Sequence, residues 1–187
     1  MTTEQLEKAY ASTKRVLGNV TKEDLTSSTP CRSWDVHELV NHVVGTPYYF
    51  AAAVEAGAGP TDDPGTDFAD ADFHASFDEA TRLAIGAFGA DGAMERTVQL
   101  PFGELPGSMV VNLAAMDSFV HGWDLAKATG QPTDLDPALA EEFLSIAKAS
   151  IPDAFRGDEP APFGPAVDVA ASAPAADRLA GFLGRQP

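Results

Sequence analysis

The sequence predicts an all-α protein: four helices in up-down order forming a bundle, with further helices after it. Two observations carry that prediction. Four long stretches before residue 130 repeat apolar residues at helical spacing. Capping and breaking residues fall between those stretches, where one helix must stop and the next must start. There is no internal repeat and no glycine-rich phosphate loop to suggest another architecture.

Each element has its own warrant. Leu6, Tyr10, Thr13, Val16 and Leu17 space out a first amphipathic helix over Thr3 to Val20. A Thr/Ser-rich loop follows, and Pro30 forces Thr29 into extended backbone, so no helix crosses it. Asp35 followed by Glu38 resembles a capping box, and Val36, Leu39, Val40, Val43 and Val44 then mark one apolar face. This second helix is expected to reach about Ala56, with a kink at Pro47. Gly57 to Asp67 reads as a solvated, turn-rich loop. A third helix, Asp72 to Phe88, turns Phe73, Phe77, Ala80, Ala84 and Phe88 inward. Met94 to Pro106, with two β-prone pieces and two prolines, reads as an irregular or hairpin-like connection. The fourth and most buried helix, Met109 to Gly130, is stopped by Gly130 and Pro132. A fifth runs from Pro137 to Ser150 with Asp136 as its N-cap. Asp153 to Ala173, rich in Pro, Gly and Ala, is expected to wrap the surface before a last helix at Ala175 to Leu183. The organisation expected is one domain over residues 1–187, with its bundle core at about 3–130 and a helical extension at about 136–187.

Composition narrows the function. The formal charge is -16, from 28 acidic against 12 basic residues, which argues against a broad surface for nucleic acid or an anionic membrane. No stretch is long and apolar enough to span a bilayer, and the N-terminus lacks a signal-peptide apolar core, so a cytoplasmic protein is expected. The single cysteine, Cys31, excludes an internal disulfide and a Cys-rich zinc knuckle. Any metal site must use His and carboxylates, with Cys31 at most one ligand.

The sharpest chemical signal is Asp117 and His121, one helical turn apart on a helix that is apolar nearly all round. A buried charge is costly unless it is paired or bound to a metal. Two readings follow: a hydrogen-bonded Asp–His pair that is simply satisfied, or two ligands of a divalent metal. Of the other histidines, His37 and His42 lie in H-E-L-V-N-H, which is not the zinc-protease signature, because that needs i and i+4 spacing. Five residues put them about 140° apart around a helix, so only one faces the interior. His37, in the first turn, reads as solvated, whereas His42, among Val40, Val43 and Val44, is the interior candidate. Together with Asp117 and His121 it would make two imidazoles and one carboxylate, a set that leaves a coordination position open. Asp124, on the same face as both, either orients His121 from behind or is a polar residue near the bundle end. His74, among Asp70, Asp72 and Asp78, reads as solvated. A thiol near a helix N-terminus can be acidified, but Cys31 is read as a small buried apolar residue, and Trp34 and Trp123 as packing residues. There is no G-x-S-x-G motif, which removes the commonest serine hydrolases.

The segments T-P-C-R-S-W-D-V-H-E-L-V-N-H-V-V-G, D-S-F-V-H-G-W-D-L-A-K-A-T-G, F-G-P-A-V and D-R-L-A-G-F-L-G-R-Q-P resemble an actinobacterial family. That family is related to the mycothiol-dependent maleylpyruvate isomerase N-terminal domain, in the DinB-like superfamily. The resemblance implies a four-helix bundle with a divalent metal, usually zinc, held by His42, Asp117 and His121, with nickel or iron as other metals that suit such ligands. It also implies mycothiol as a co-substrate whose thiol would take the open metal position and become a nucleophile. The true isomerases carry a sizeable mixed α/β domain after the bundle, whereas only residues 151–187 follow the fifth helix here. The expectation is therefore a thiol transferase acting on small electrophiles, with a non-catalytic metal-binding or dimeric structural module as the alternative. The expected partners are a small-molecule thiol and its electrophile, and a second copy of the chain in a homodimer, with neither nucleic acid nor membrane.

Overall fold

The computed structural model describes residues 3–31, 33–61, 65–152, 155–157 and 163–187. Among them are six helices: α1 (Thr3–Leu17), α2 (Val36–Ala56), α3 (Phe73–Gly89), α4 (Gly107–Ala128), α5 (Pro137–Ser150) and α6 (Ala175–Phe182). One antiparallel hairpin, β1 (Thr97–Leu100) and β2 (Gly103–Pro106), joins α3 to α4. The protein is thus mostly helical, with a small two-stranded sheet where the sequence left a choice between an irregular and a hairpin-like connection.

Local chemistry sets the helix ends. The capping box at the start of α2 is reciprocal: the Glu38 amide donates to Asp35 Oδ1 at 3.0 Å, and the Asp35 amide donates to Glu38 Oε2 at 3.0 Å. Gly57 closes α2 in the left-handed region, at φ 77°. Pro47 lies inside α2 without ending it. α1 stops at Leu17, three residues short of the expected Val20, and α4 begins at Gly107, two residues before the expected Met109. Of the Asp153 to Ala173 stretch, residues 153–154 and 158–162 lie outside the described residues. In its described part the Val167 amide donates to the Gly181 carbonyl at 2.9 Å, tying this segment to α6.

α1 packs on α4 and α3, and α2 packs on α3 and α4, so these four helices enclose a common core. Leu6 and Leu17 of α1, Leu39 and Val40 of α2, Phe77 and Phe88 of α3, and Phe119 and Trp123 of α4 are almost wholly buried in it. The α1–α4 crossing is close. A Cβ on Gly122 would lie 2.8 Å from Thr13 Oγ1, so only glycine fits there. Across this crossing the buried Thr13 hydroxyl donates to the Ser118 carbonyl at 2.8 Å. α5 packs on α6 and α1, and α6 on α4, where Trp123 Nε1 donates to Asp177 Oδ1 at 2.8 Å. The hairpin is held to the end of α2: the Gln99 amide donates to the Gly57 carbonyl at 2.9 Å, and the Gly59 amide to the Gln99 carbonyl at 2.8 Å. Among the described residues, no helix is long and apolar enough to cross a membrane.

Candidate metal centre

Four separate parts of the chain meet at one place. α2 carries His42, and α4 carries Asp117, His121 and Asp124. The segment before α2 brings Cys31 and Trp34, and the tail after α6 brings Arg185. His42 Nε2 lies 3.3 Å from Asp117 Oδ1, and His121 Nε2 lies 3.6 Å from the same oxygen. The two imidazole centroids are 4.6 Å apart and nearly perpendicular. Ligand atoms from His42, Asp117 and His121 all fall within 4.8 Å of one another: the i, i+4 spacing pairs Asp117 with His121, and the packing of α2 on α4 brings His42 to them. Trp34 lies across both rings, at 4.7 Å from His42 and 5.7 Å from His121, which makes it a wall of the site as well as a packing residue.

Behind His121 sits a second set of groups. His121 Nδ1 is 2.9 Å from Asp124 Oδ2. Asp124 is fully buried, at 0% exposure. Burial pushes its carboxyl up, but the His121 hydrogen bond and the Arg185 charge outweigh it and hold it down at about 2. An ionised carboxylate only accepts, so His121 Nδ1 carries a proton and donates it to Asp124. Arg185 closes the arrangement with two nitrogens: Nη2 donates to Asp124 Oδ2 at 3.0 Å and Nε to Oδ1 at 3.2 Å. Asp124 therefore stands where an orienting group for His121 would stand, rather than as a stray polar residue.

The half-buried Cys31 packs against the core, as read from the sequence, but it also enters this network. Its thiol donates to Asp124 Oδ2 at 3.2 Å. Burial, together with the Asp124 charge, pushes the thiol up to about 12. The acidifying effect that a helix N-terminus can exert on a cysteine is thus overridden at Cys31. Cys31, His121 and Asp124 also form a compact donor group, but the Arg185 guanidinium on Asp124 already supplies a positive charge there. The remaining histidines lie elsewhere. His37 is partly exposed and pairs with Asp67 at 3.2 Å, where Asp70 completes a third, surface group. His74 is exposed against the Phe73 ring.

The triad's own electrostatics bear on a cation. Burial pushes the Asp117 carboxyl up, yet His121 and His42 outweigh it and leave it below its ordinary value. With Nδ1 of a neutral His121 protonated, its Nε2 is an acceptor facing the acceptor Oδ1 of Asp117. Two acceptors at this separation call for something positive between or beside them, either a second proton on the imidazole or a metal ion. The donor set of two imidazoles and one carboxylate fits a divalent transition metal.

Asp117 and His121 also border a cleft of about 210 Å³. Its other walls include Phe50, Leu113, Val120 and Phe163, with Phe102 at the hairpin turn on its rim. This cleft, Trp34 as a wall and Arg185 as a partner were not legible in the sequence. The one available signal for Arg185 was indirect: a buried carboxylate at Asp124 needs a cation, and few basic residues follow α4.

With this fold and site, the chain belongs to the mycothiol maleylpyruvate isomerase N-terminal domain family, whose match covers residues 6–126. The match includes His42, Asp117, His121 and Asp124 and ends before Arg185. Two relatives, each described as an uncharacterized protein of Mycobacterium tuberculosis, one from strain CDC 1551 / Oshkosh and one from strain ATCC 25618 / H37Rv, are 38% identical over 174 residues, covering 91% of this chain and 90% of theirs. No solved structure matches the chain.

Proposed function

We propose that this protein is a DinB-like four-helix bundle that binds one divalent metal, zinc before nickel or iron, through His42, Asp117 and His121, and that it transfers mycothiol to small electrophiles. The observation that carries the reading is the convergence of ligand atoms from His42, Asp117 and His121 within 4.8 Å of one another, with Asp124 behind His121 at 2.9 Å. A bound divalent metal would supply a thiolate at neutral pH, by lowering the pKa of the thiol it coordinates.

The chain's own groups have distinct tasks. Asp124 holds the proton on His121 Nδ1 and so keeps Nε2 available as a ligand. Arg185 keeps Asp124 ionised. Trp34 covers the two imidazoles and keeps water from that side. Asp117, with a coordinating oxygen between the two rings, offsets part of the metal's charge. Membership of the mycothiol maleylpyruvate isomerase N-terminal domain family supports mycothiol as the thiol. A small-molecule thiol and an electrophile are then the partners, in keeping with a net charge of -16.

A second reading rests on the contact of His42 Nε2 with Asp117 at 3.3 Å, which a hydrogen bond satisfies without catalysis. On that reading the protein is a non-catalytic metal-binding module or a structural module that works as a homodimer. Conjugation of mycothiol to 1-chloro-2,4-dinitrobenzene separates the two. The proposal predicts conjugation by zinc-loaded protein and its loss in His42→Ala with helix content retained. Conjugation at the wild-type rate by metal-free His42→Ala would overturn it.

A further inference from the structure

The cleft beside the triad has a composition that selects what can enter it. Its apolar walls come from Phe50, Leu113, Met116, Val120, Phe163 and Leu183, and Phe102, at 70% exposure, stands at its mouth. The charged or ionisable groups among the described lining residues are Asp117, His121 and Arg185. Each is already engaged. Asp117 and His121 face each other and His42. Arg185 spends Nε and Nη2 on Asp124 and directs Nη1 to the Leu183 carbonyl at 3.3 Å. A ligand carboxylate would have to compete with buried Asp124 for that guanidinium, or sit unpaired against phenylalanine and leucine, and both cost affinity. The volume, about 210 Å³, is somewhat larger than the ~150 Å³ of an apolar cavity known to take benzene.

From this we infer that the cleft takes the apolar body of an uncharged electrophile with a single aromatic ring, and discriminates against anionic analogues of the same size. The inference deepens the thiol-transfer reading and rests on it for the word electrophile; the binding preference does not depend on it. For an aryl chloride activated by nitro groups the step balances simply. The thiolate sulfur bonds to the ring carbon that bears chlorine, the carbon–chlorine bond breaks with its electron pair leaving on chloride, and the thiol proton passes to buffer.

The test uses unreactive probes, so binding is read apart from chemistry. Calorimetric titration of the full chain with 1,3-dinitrobenzene and with 3-nitrobenzoate, with and without added zinc, compares one ring in an uncharged and an anionic form. The expected result is measurable binding of dinitrobenzene in both conditions and, in the metal-free protein, nitrobenzoate binding about tenfold weaker or more, as a poorly compensated charge requires. Leu113→Trp, which fills the cleft from a partly exposed position, should abolish dinitrobenzene binding, and Phe102→Ala, at the exposed rim, should weaken it severalfold. Equal or tighter binding of nitrobenzoate by the metal-free protein would overturn the inference, as would the absence of dinitrobenzene binding or binding indifferent to both substitutions. Should Leu113→Trp not fold, Phe102→Ala and the probe pair still decide. Dinitrobenzene binding by a protein that takes up no zinc would sink the metal reading and leave the cleft's preference standing; zinc uptake without ring binding would do the reverse.

Discussion

At the residue scale the account turns on His121, whose two nitrogens have different neighbours. Nδ1 is committed to Asp124, and Asp124 to Arg185. Replacing Asp124 by Asn should leave the Arg185 guanidinium buried without its counter-charge, at a cost of about 3–5 kcal/mol in urea unfolding. The same variant should bind zinc about 10–100-fold more weakly, because the group that orients His121 has lost its charge. An unchanged unfolding midpoint would show that the pair contributes nothing. The acid side gives a second check on the same carboxylate. Its folded value, about 2, lies below the ordinary 3.8, so its contribution is complete above the ordinary value and is lost as pH falls from there through about 2. Asp124→Asn should flatten that part of the acid-unfolding curve. Cys31 makes a third case. With its thiol pushed up to about 12, it should react with iodoacetamide at pH 8 far more slowly than an exposed cysteine, and alkylation at an exposed thiol's rate would contradict its place on Asp124. Asp117 and His121 were legible in the sequence because residues i and i+4 share a helix face, and His42 because apolar neighbours flank it and the family motif includes it. Arg185 was not, because its pairing with Asp124 spans 61 residues and depends on where α6 delivers the tail.

At the element scale, the caps and breakers did most of the work. Asp35 with Glu38, Gly57 and Asp136 each stand where the helix ends require them, and α2, α3 and α5 follow the expected bounds to within a residue or so. The hairpin stayed ambiguous in sequence because its two strands are only four residues each, too short for alternation to distinguish strand from irregular chain. The first residue of α4 is tightly placed: Gly107 approaches the Ala93 carbonyl so closely that a Cβ would fall 1.9 Å from its oxygen. At the α1–α4 crossing Gly122 lies directly against Thr13. Gly122→Ala should push Thr13 away and destabilise the fold by about 1–3 kcal/mol, read as a lower unfolding midpoint. Full stability in that variant would mean that the crossing has slack.

At the scale of the whole molecule, the site is a meeting of distant segments on a shared core. α2 and α4 supply the triad, and the segments around residue 31 and residue 185 both reach Asp124 behind it. The family match ends at residue 126, yet Arg185, Leu183 and Phe163 line the cleft, so the C-terminal segment helps to define what this chain can bind. The central claim, that His42, Asp117 and His121 hold a divalent metal, is tested most directly by measuring the metal content of freshly purified protein by plasma mass spectrometry beside His121→Ala. The account predicts close to one zinc or other divalent transition metal per chain, lost in the variant while its helix content is kept. No metal in either protein, even after zinc is added back, would contradict it and leave a hydrogen-bonded cluster of two histidines and two carboxylates.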